Sequence, residues 1–181
     1  MAPDDPAEAI VPDDKDWTWV LDRPCDECGF EAATVSREQL GERFFVAGEE
    51  WVQILRESPA VEVRPAAAVW SPLEYGAHVR DLYVITGQRL ELMLTRDDAA
   101  FADWDQDAAA VEGQYNLQDP YEVSGELAQE VRATADAFDA VTGEQWARTG
   151  RRGDGKDFTV ASFAAYFLHD VEHHLRVDVR G

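Results

Sequence analysis

The sequence reads VASFAAYFLHDVEHH over residues 160–174, and no charged side chain occurs before Asp170. A helix that is apolar around most of its circumference is buried on several sides. We therefore expect this segment to be the innermost helix of a helical bundle, starting at Thr159. Three of the chain's four histidines, His169, His173 and His174, lie at its end.

Two of these histidines can bind a common ion. Residues four apart lie above one another on an α-helix, so His169 and His173 share a face. Two histidines at this spacing are also typical of a polar helix end, so their surroundings must decide between the two interpretations. Asp170 and His174 form a second pair with the same spacing. We prefer the pair of histidines, because small side chains line its face.

The fourth histidine, His78, lies on a helix with a strong start signal. Ser71 can cap this helix, Pro72 occupies its first turn, and Glu74 completes a capping box. We expect the helix to run to about Thr95, with His78 at the edge of its buried face. A metal ligand and a neutral core histidine hydrogen-bonded to a neighbour both explain that position.

Two further periodic segments complete the bundle. One begins at Ser36, with Gln39 in position for a capping box, and ends at Ser58, which precedes a proline. The other is capped near Ser124 and ends at a glycine. Four such segments predict an all-α fold, an antiparallel four-helix bundle.

Length and charge limit the classes of function. A chain of 181 residues suits one ordinary domain, and its formal net charge of −21 repels the phosphates of nucleic acids. It contains no apolar stretch of about 20 residues that could span a membrane. Its first residues are acidic, whereas a signal peptide begins with basic ones. We expect a cytoplasmic protein without a nucleic-acid or membrane partner.

The N-terminal residues differ from the rest in composition. Residues 1–16 are rich in proline and acidic side chains and contain little that could be buried. We expect them to form an acidic mobile tail, followed by a single helical domain over residues 17–181. The sequence leaves open whether that domain forms a homodimer.

The chain has two cysteines, Cys25 and Cys28, in one C-x-x-C motif. A zinc ribbon would need a second such pair, and a thioredoxin-like redox centre would need a βαβ context. The third interpretation is a structural turn with reduced thiols. The acidic neighbours Asp22, Asp26 and Glu27 favour it, since negative charges raise the pKa of a thiol.

The order of these motifs resembles the DinB/YfiT-like family. Residues 70–81 (WSPLEYGAHVRD) are similar to the W…E…H…D opening of that family's second helix, and residues 167–174 (FLHDVEHH) to its closing motif. The resemblance implies a four-helix bundle in which a divalent ion, usually zinc or nickel, is held by three side chains with open positions left. Carried onto this chain, the ligands are His78, His169 and His173.

Members of that family with a known activity include low-molecular-weight-thiol S-transferases and the mycothiol-dependent maleylpyruvate isomerase. The resemblance therefore implies a metal-dependent thiol S-transferase or hydrolase that acts on a small molecule, with mycothiol or bacillithiol as the type of thiol. Tyr166 could donate a proton or a hydrogen bond from its hydroxyl. Arg80 and Arg176 could bind an anionic substrate.

A non-enzymatic role is the alternative. In that interpretation the chain is a metal-binding helical bundle that acts through protein–protein association. Its contact surface would comprise Trp17, Trp19 and the acidic loop around Trp104. Activity toward thiol conjugates would separate the two interpretations, whereas metal binding alone would not.

Overall fold

The computed structural model describes Ile10 and residues 15–180. The predicted mobile tail, residues 1–16, therefore lies outside the described residues except for Ile10, Lys15 and Asp16. Asp16 is part of the folded body, because its carboxylate accepts a hydrogen bond from Lys156 Nζ at 2.7 Å.

Five α-helices and three short β-strands occur in the part of the chain that the structure describes. In chain order they are α1 (Leu40–Glu57), α2 (Pro72–Thr95), β1 (Ala99–Phe101), α3 (Gln106–Glu112), α4 (Pro120–Asp139), β2 (Thr149–Arg152), β3 (Asp157–Thr159) and α5 (Val160–His173). Helix α5 continues directly into a π-helical turn, His174–Val179. None of these helices is both long and apolar enough to cross a membrane.

The fold is mostly helical, as predicted, but it is not purely α. Helices α1, α2, α4 and α5 pack on one another, and a small sheet with the order β1-β2-β3 closes one end. Strand β1 pairs in parallel with β2, which pairs in antiparallel with β3. Each strand has only three or four residues. Such short strands leave no alternating pattern in the sequence that could have predicted them.

Two of the predicted helix starts are confirmed. The Ser71 hydroxyl accepts a hydrogen bond from Glu74 N at 3.2 Å, and the Glu74 carboxylate accepts one from Ser71 N at 2.8 Å. This reciprocal pair is the predicted capping box of α2. Helix α5 starts after Thr159, whose hydroxyl accepts from Ser162 N at 3.1 Å.

The other two starts are wrong by about one turn. Ser36 donates to the Glu38 carboxylate instead of capping the backbone, and a 3₁₀ turn, Arg37–Gln39, precedes α1. Helix α4 begins at Pro120 rather than near Ser124, because the Asp119 carboxylate caps it and a proline is well suited to a first helical turn.

The core is centred on α5 and contains a group of aromatic rings. Phe44 of α1 packs against Phe138 and Phe167, with ring centroids 4.7 and 4.8 Å apart. The Tyr83 hydroxyl donates to the Phe44 carbonyl at 2.7 Å. The predicted apolar stripe of α5 is buried, and its members are Val160, Phe163, Ala164, Phe167, Leu168 and Val171.

A segment near the N-terminus packs across the last helix. We call residues 15–35 the N-terminal segment; it begins with a 3₁₀ helix, Trp17–Leu21, and continues through the C-x-x-C motif. It contacts α5, and Arg176 Nη1 donates to the Cys28 carbonyl at 3.2 Å. The segment therefore positions its two cysteines next to the histidine-rich end of α5.

Candidate metal centre

The structure divides the three histidines that the sequence analysis grouped together. His78, His169 and His173 are all buried, and the His169 and His173 rings lie 5.1 Å apart, as their spacing predicts. His78, however, lies against Asp170 and His174. These two residues each follow a predicted ligand by one position, which rotates them by about 100° around α5. Helix α2 approaches that neighbouring face.

We call His78, Asp170 and His174 the His78 cluster. One ligand atom from each residue lies within 4.8 Å of the other two. Asp170 Oδ1 lies 3.1 Å from His174 Nε2 and 3.6 Å from His78 Nε2. The three side chains therefore converge on a common point.

The buried nitrogens of His78 indicate that a ligand binds at that point. Both of its nitrogens are buried, and neither has a hydrogen-bond partner among the described residues. The 3.6 Å to Asp170 is too long for a hydrogen bond. Leaving a buried polar atom unpaired costs about 1–3 kcal/mol, so native proteins rarely do it. The structure thus lacks the hydrogen bond that a purely structural core histidine would require, and the donor set fits a divalent cation.

Asp178 orients one ring of this cluster. It lies in the π-helical turn, and its Oδ2 is 2.6 Å from His174 Nδ1. A proton on Nδ1 would be donated to this carboxylate, which leaves Nε2 facing Asp170 and the convergence point. Carboxylates that fix the tautomer of a ligating histidine in this way are common around protein-bound metals.

Aromatic rings enclose the His78 cluster. The Trp104 ring is stacked on His78 at 5.3 Å between centroids, with 7° between the planes. Trp70 lies 5.6 Å from His78, and Tyr75 lies 5.0 Å from His174. These rings limit the access of water and strengthen electrostatic interactions inside the cluster.

The charges in the cluster are strongly coupled. Burial favours the neutral His174 ring, but the ion pairs with Asp170 and Asp178 outweigh it and raise the pKa of His174 to about 9. Burial likewise opposes the charge on Asp170, yet its contacts with His174 and His78 hold the pKa of that carboxyl well below its ordinary value. Without a bound cation, the cluster therefore holds a charged His174 at neutral pH.

This shift predicts how the stability of the metal-free protein depends on pH. Because the pKa is raised from 6.5 to about 9, His174 stabilises the fold fully below pH 6.5, and this contribution is lost as the pH rises through 9. The loss should be roughly 3 kcal/mol, because one pKa unit corresponds to about 1.4 kcal/mol. We expect the unfolding free energy of wild type, measured with a chelator present, to fall by that amount relative to His174→Gln across this pH window. A constant difference between the two proteins would contradict the expectation.

A second cluster lies on the adjacent face of α5. We call Cys25, Cys28, His169 and His173 the Cys–His cluster; one ligand atom from each lies within 4.8 Å of the other three. Cys25 Sγ is 3.7 Å from His173 Nδ1. Both cysteines are free thiols. That the turn containing these cysteines faces the two histidines could not be predicted from the sequence.

Three groups of the Cys–His cluster, Cys28, His169 and His173, are uncharged at neutral pH without a bound cation. Burial raises the pKa of the Cys28 thiol to about 11. Burial, with a smaller effect of the neighbouring His173, lowers the pKa of His169 to about 4, and the pKa of His173 is lowered for the same main reason. The ring nitrogens therefore keep lone pairs that a cation could accept.

A cavity of about 770 Å³ opens beside both clusters. Asp170, His174 and the His169 and His173 rings form part of its wall, and Tyr166 contributes to the same wall. Cavities of about 300–1,000 Å³ are typical of small-molecule sites. The structure thus places the predicted Tyr166 next to the clusters.

The two predicted arginines lie elsewhere. Arg80 donates to the carboxylates of Asp81 and Glu126 at 2.8 Å each, and Arg176 donates to Glu172 at 2.7 Å. Neither of them lines the cavity. Their role in binding a substrate stays a prediction.

Basic residues that were not predicted as site residues line the cavity, and two of them are Arg152 and Lys156. Arg152 and Lys156 come from β2 and the turn that follows it, and Arg152 Nη1 lies 3.4 Å from the Tyr166 hydroxyl. Their only signal in the sequence is a polar loop just before the histidine-bearing helix. The β2–β3 hairpin brings them to the cavity, and the sequence pattern did not reveal that hairpin.

Comparison with known proteins gives two matches. A model of the DinB superfamily matches residues 50–177. Among solved structures, YfiT from Bacillus subtilis superposes with a TM-score of 0.65 at 18% sequence identity, over 80% of this chain and 86% of that one. That protein is described as "a probable metal-dependent hydrolase with an unusual four-helix bundle topology". No curated protein sequence matches the chain.

Proposed function

Because the chain belongs to the DinB superfamily, we propose that it is a metal-dependent enzyme whose divalent ion is held by His78, Asp170 and His174. The observation that carries this assignment is the buried His78 ring, whose unpartnered nitrogens lie against Asp170 and His174. Three protein ligands are the number found in metal sites that keep a position for water or substrate. The set of His78, His169 and His173 remains the competing assignment.

The donor types indicate the class of ion. Two imidazoles and one carboxylate suit zinc or nickel, the ions that the sequence analysis expected. When bound, such an ion lowers the pKa of a coordinated water or thiol toward neutrality and so supplies a nucleophile. Asp170 brings one negative charge to the site, and Asp178 keeps the proton of His174 on Nδ1.

The cavity supplies groups for a small-molecule substrate. Tyr166 can donate from its hydroxyl, and its pKa is raised above the ordinary value by burial and by Asp170. The hydroxyl therefore keeps its proton at neutral pH. Arg152 lies beside Tyr166 and would attract an anionic or polar part of the substrate. The tryptophans around the ion site provide an apolar wall for the remainder.

We propose that the reaction is the attack of a water or a low-molecular-weight thiol on a small electrophilic substrate. The thiol would be of the mycothiol or bacillithiol type. This covers the hydrolase and the S-transferase that the sequence analysis considered. Location in the cytoplasm, the absence of nucleic-acid partners and the assembly state stay predictions.

Removal of the metal should abolish this activity. We expect hydrolysis of ester and amide substrates, or conjugation of a thiol to a model electrophile, to be lost after chelation and restored by zinc or nickel. Each reaction should be measured with mycothiol, with bacillithiol and without thiol, which separates transfer from hydrolysis.

The Arg152→Gln variant should raise KM for anionic substrates more than for neutral ones, because the substitution removes a positive charge from the cavity wall.

Equal rates for the metal-loaded and the metal-free protein would contradict the proposal that the protein is a metal-dependent enzyme. If the protein binds the ion tightly but turns over no substrate in any of these assays, the alternative of a non-enzymatic bundle is favoured. In the structure, Trp17 and Trp104 of the contact surface considered for that alternative pack against histidines of the two clusters.

A further inference from the structure

We propose that Cys25, Cys28, His169 and His173 bind a zinc ion in a closed structural site, separate from the His78 cluster. This site would use a different set of ligands and a different face of α5. It is independent of the proposed enzymatic function, since no residue is shared between the two clusters.

The spacing of the ligands agrees with known structural zinc sites. Such sites commonly combine C-x₂₋₄-C with H-x₃₋₅-H. Cys25 and Cys28 are separated by two residues, and His169 and His173 by three. A set of two sulfurs and two imidazole nitrogens is typical of tetrahedral zinc.

The observed distance also fits a shared ion. Zn–S and Zn–N bonds of about 2.3 and 2.0–2.1 Å at a tetrahedral angle place the sulfur and nitrogen about 3.6 Å apart. Cys25 Sγ and His173 Nδ1 are 3.7 Å apart. The remaining pairs of ligand atoms lie within 4.8 Å, so only small side-chain movements would complete the tetrahedron.

The backbone around the cysteines forms a closed turn. Cys25 N donates to the Phe30 carbonyl at 2.8 Å, and Gly29 N donates to the Cys25 carbonyl at 2.8 Å. Gly29 has φ +73°, in the left-handed region that glycine adopts without strain. This turn fixes both thiols toward α5 before any ion binds.

The histidines present free lone pairs at the same point. His169 Nε2 is buried and has no hydrogen-bond partner among the described residues. His173 directs Nδ1 to Cys25, while its Nε2 lies 3.6 Å from the Glu27 carboxylate. A carboxylate on the far side of a ligating ring is a common arrangement around zinc.

Aromatic side chains cover the Cys–His cluster. The Trp17 ring lies 4.9 Å from the His173 ring and 5.6 Å from the His169 ring, and Phe30 packs edge-on to His169 at 5.3 Å. Four protein ligands fill the coordination sphere of zinc. A zinc ion with four protein ligands has a structural role and leaves no coordination position for a substrate.

Zinc at this cluster would join the N-terminal segment to α5. Its ligands come from the two ends of the described chain, and Cys25 and His173 are 148 positions apart. Because the four ligands are brought together only in the folded protein, the affinity for zinc contributes to folding.

The test uses zinc and cobalt with the full chain. We expect two zinc ions per wild-type chain if the His78 cluster is also filled, and one in Cys28→Ser. Substitution with Co²⁺ should give the near-ultraviolet absorption of thiolate bound to cobalt in wild type and in His78→Ala, and a much weaker absorption in Cys28→Ser. The affinity of the Cys–His cluster for zinc should fall at least about 100-fold in Cys28→Ser. Loss of a residue that only hydrogen-bonds to a metal ligand already lowers metal affinity about 10–100-fold.

Thiol modification provides a second measurement that does not depend on a variant. Zinc should slow the reaction of both cysteines with a thiol reagent in the folded wild-type protein, and a chelator should restore it. The proposal is overturned if zinc has no effect on this rate or if cobalt gives no thiolate absorption. It is equally overturned if Cys25 and Cys28 form a disulfide in protein prepared with zinc present.

Discussion

The His78→Ala variant should lose the metal-dependent activity, with kcat/KM reduced at least about 100-fold, because the substitution removes a direct metal ligand. Mutation of a residue that only hydrogen-bonds to a metal ligand already costs about 10–100-fold in affinity or activity. Asp170→Asn and His174→Ala should have effects of the same size. Asp170→Asn preserves the volume of the side chain and removes its charge, so it separates ligation from packing. Metal content should be measured beside the rates, together with circular dichroism to verify the fold.

The competing ligand set predicts a different pattern. If His78, His169 and His173 hold the catalytic ion, His169→Ala should reduce kcat/KM as strongly as His78→Ala, and Asp170→Asn should have a smaller effect. Under our assignment, His169→Ala should weaken cobalt binding, and with it the cobalt–thiolate absorption, and retain most of the activity of folded protein. His78→Ala should do the reverse. The two variants are matched controls, since each replaces one buried histidine of one cluster.

The second large effect concerns stability. Phe44→Ala should lower the free energy of unfolding by about 3–5 kcal/mol, the usual cost of truncating a buried phenylalanine. Phe44 is fully buried between Phe138 and Phe167. The total free energy of unfolding of a small domain is about 5–15 kcal/mol, so this loss would bring the protein close to unfolding. Urea denaturation monitored by tryptophan fluorescence gives the value directly.

The neighbouring Phe45 provides the control for this prediction. It is on the same helix but 39% exposed. Phe45→Ala should change stability by less than about 1 kcal/mol, since exposed positions outside special contacts have small effects. Similar losses for the two variants would show that the aromatic cluster is not the centre of the core.

The sequence predicted best what depends on local interactions. The start of α2 was correct because Ser71, Pro72 and Glu74 specify it within one turn. The burial of the first part of α5 was predicted correctly because residues 160–169 carry no charged side chain, and an apolar helix is stabilised by burial. The predicted start of α4 was wrong because two residues that can cap a helix, Asp119 and Ser124, lie near each other. Asp119, which precedes a proline, is the residue that caps α4.

The candidate site depends on tertiary packing to a greater extent. His169 with His173 and Asp170 with His174 are equivalent pairs in the sequence, and only the side from which α2 approaches assigns His78 to the second pair. The spacing within C-x-x-C and within H-x-x-x-H is also typical of one zinc ligand set. Nothing local indicated that segments so far apart in the sequence meet.

The packing of the N-terminal segment on α5 has a consequence for the order of events during synthesis. Cys25 leaves the ribosome well before its partner His173, which is made 148 positions later. At about 5–20 residues per second, roughly 7–30 seconds separate the two. Contacts over such sequence separations also form slowly, because a long loop must close. The nascent chain can therefore assemble α1, α2 and α4 while Cys25 and Cys28 are still exposed to oxidants, and these thiols become protected only when α5 is complete.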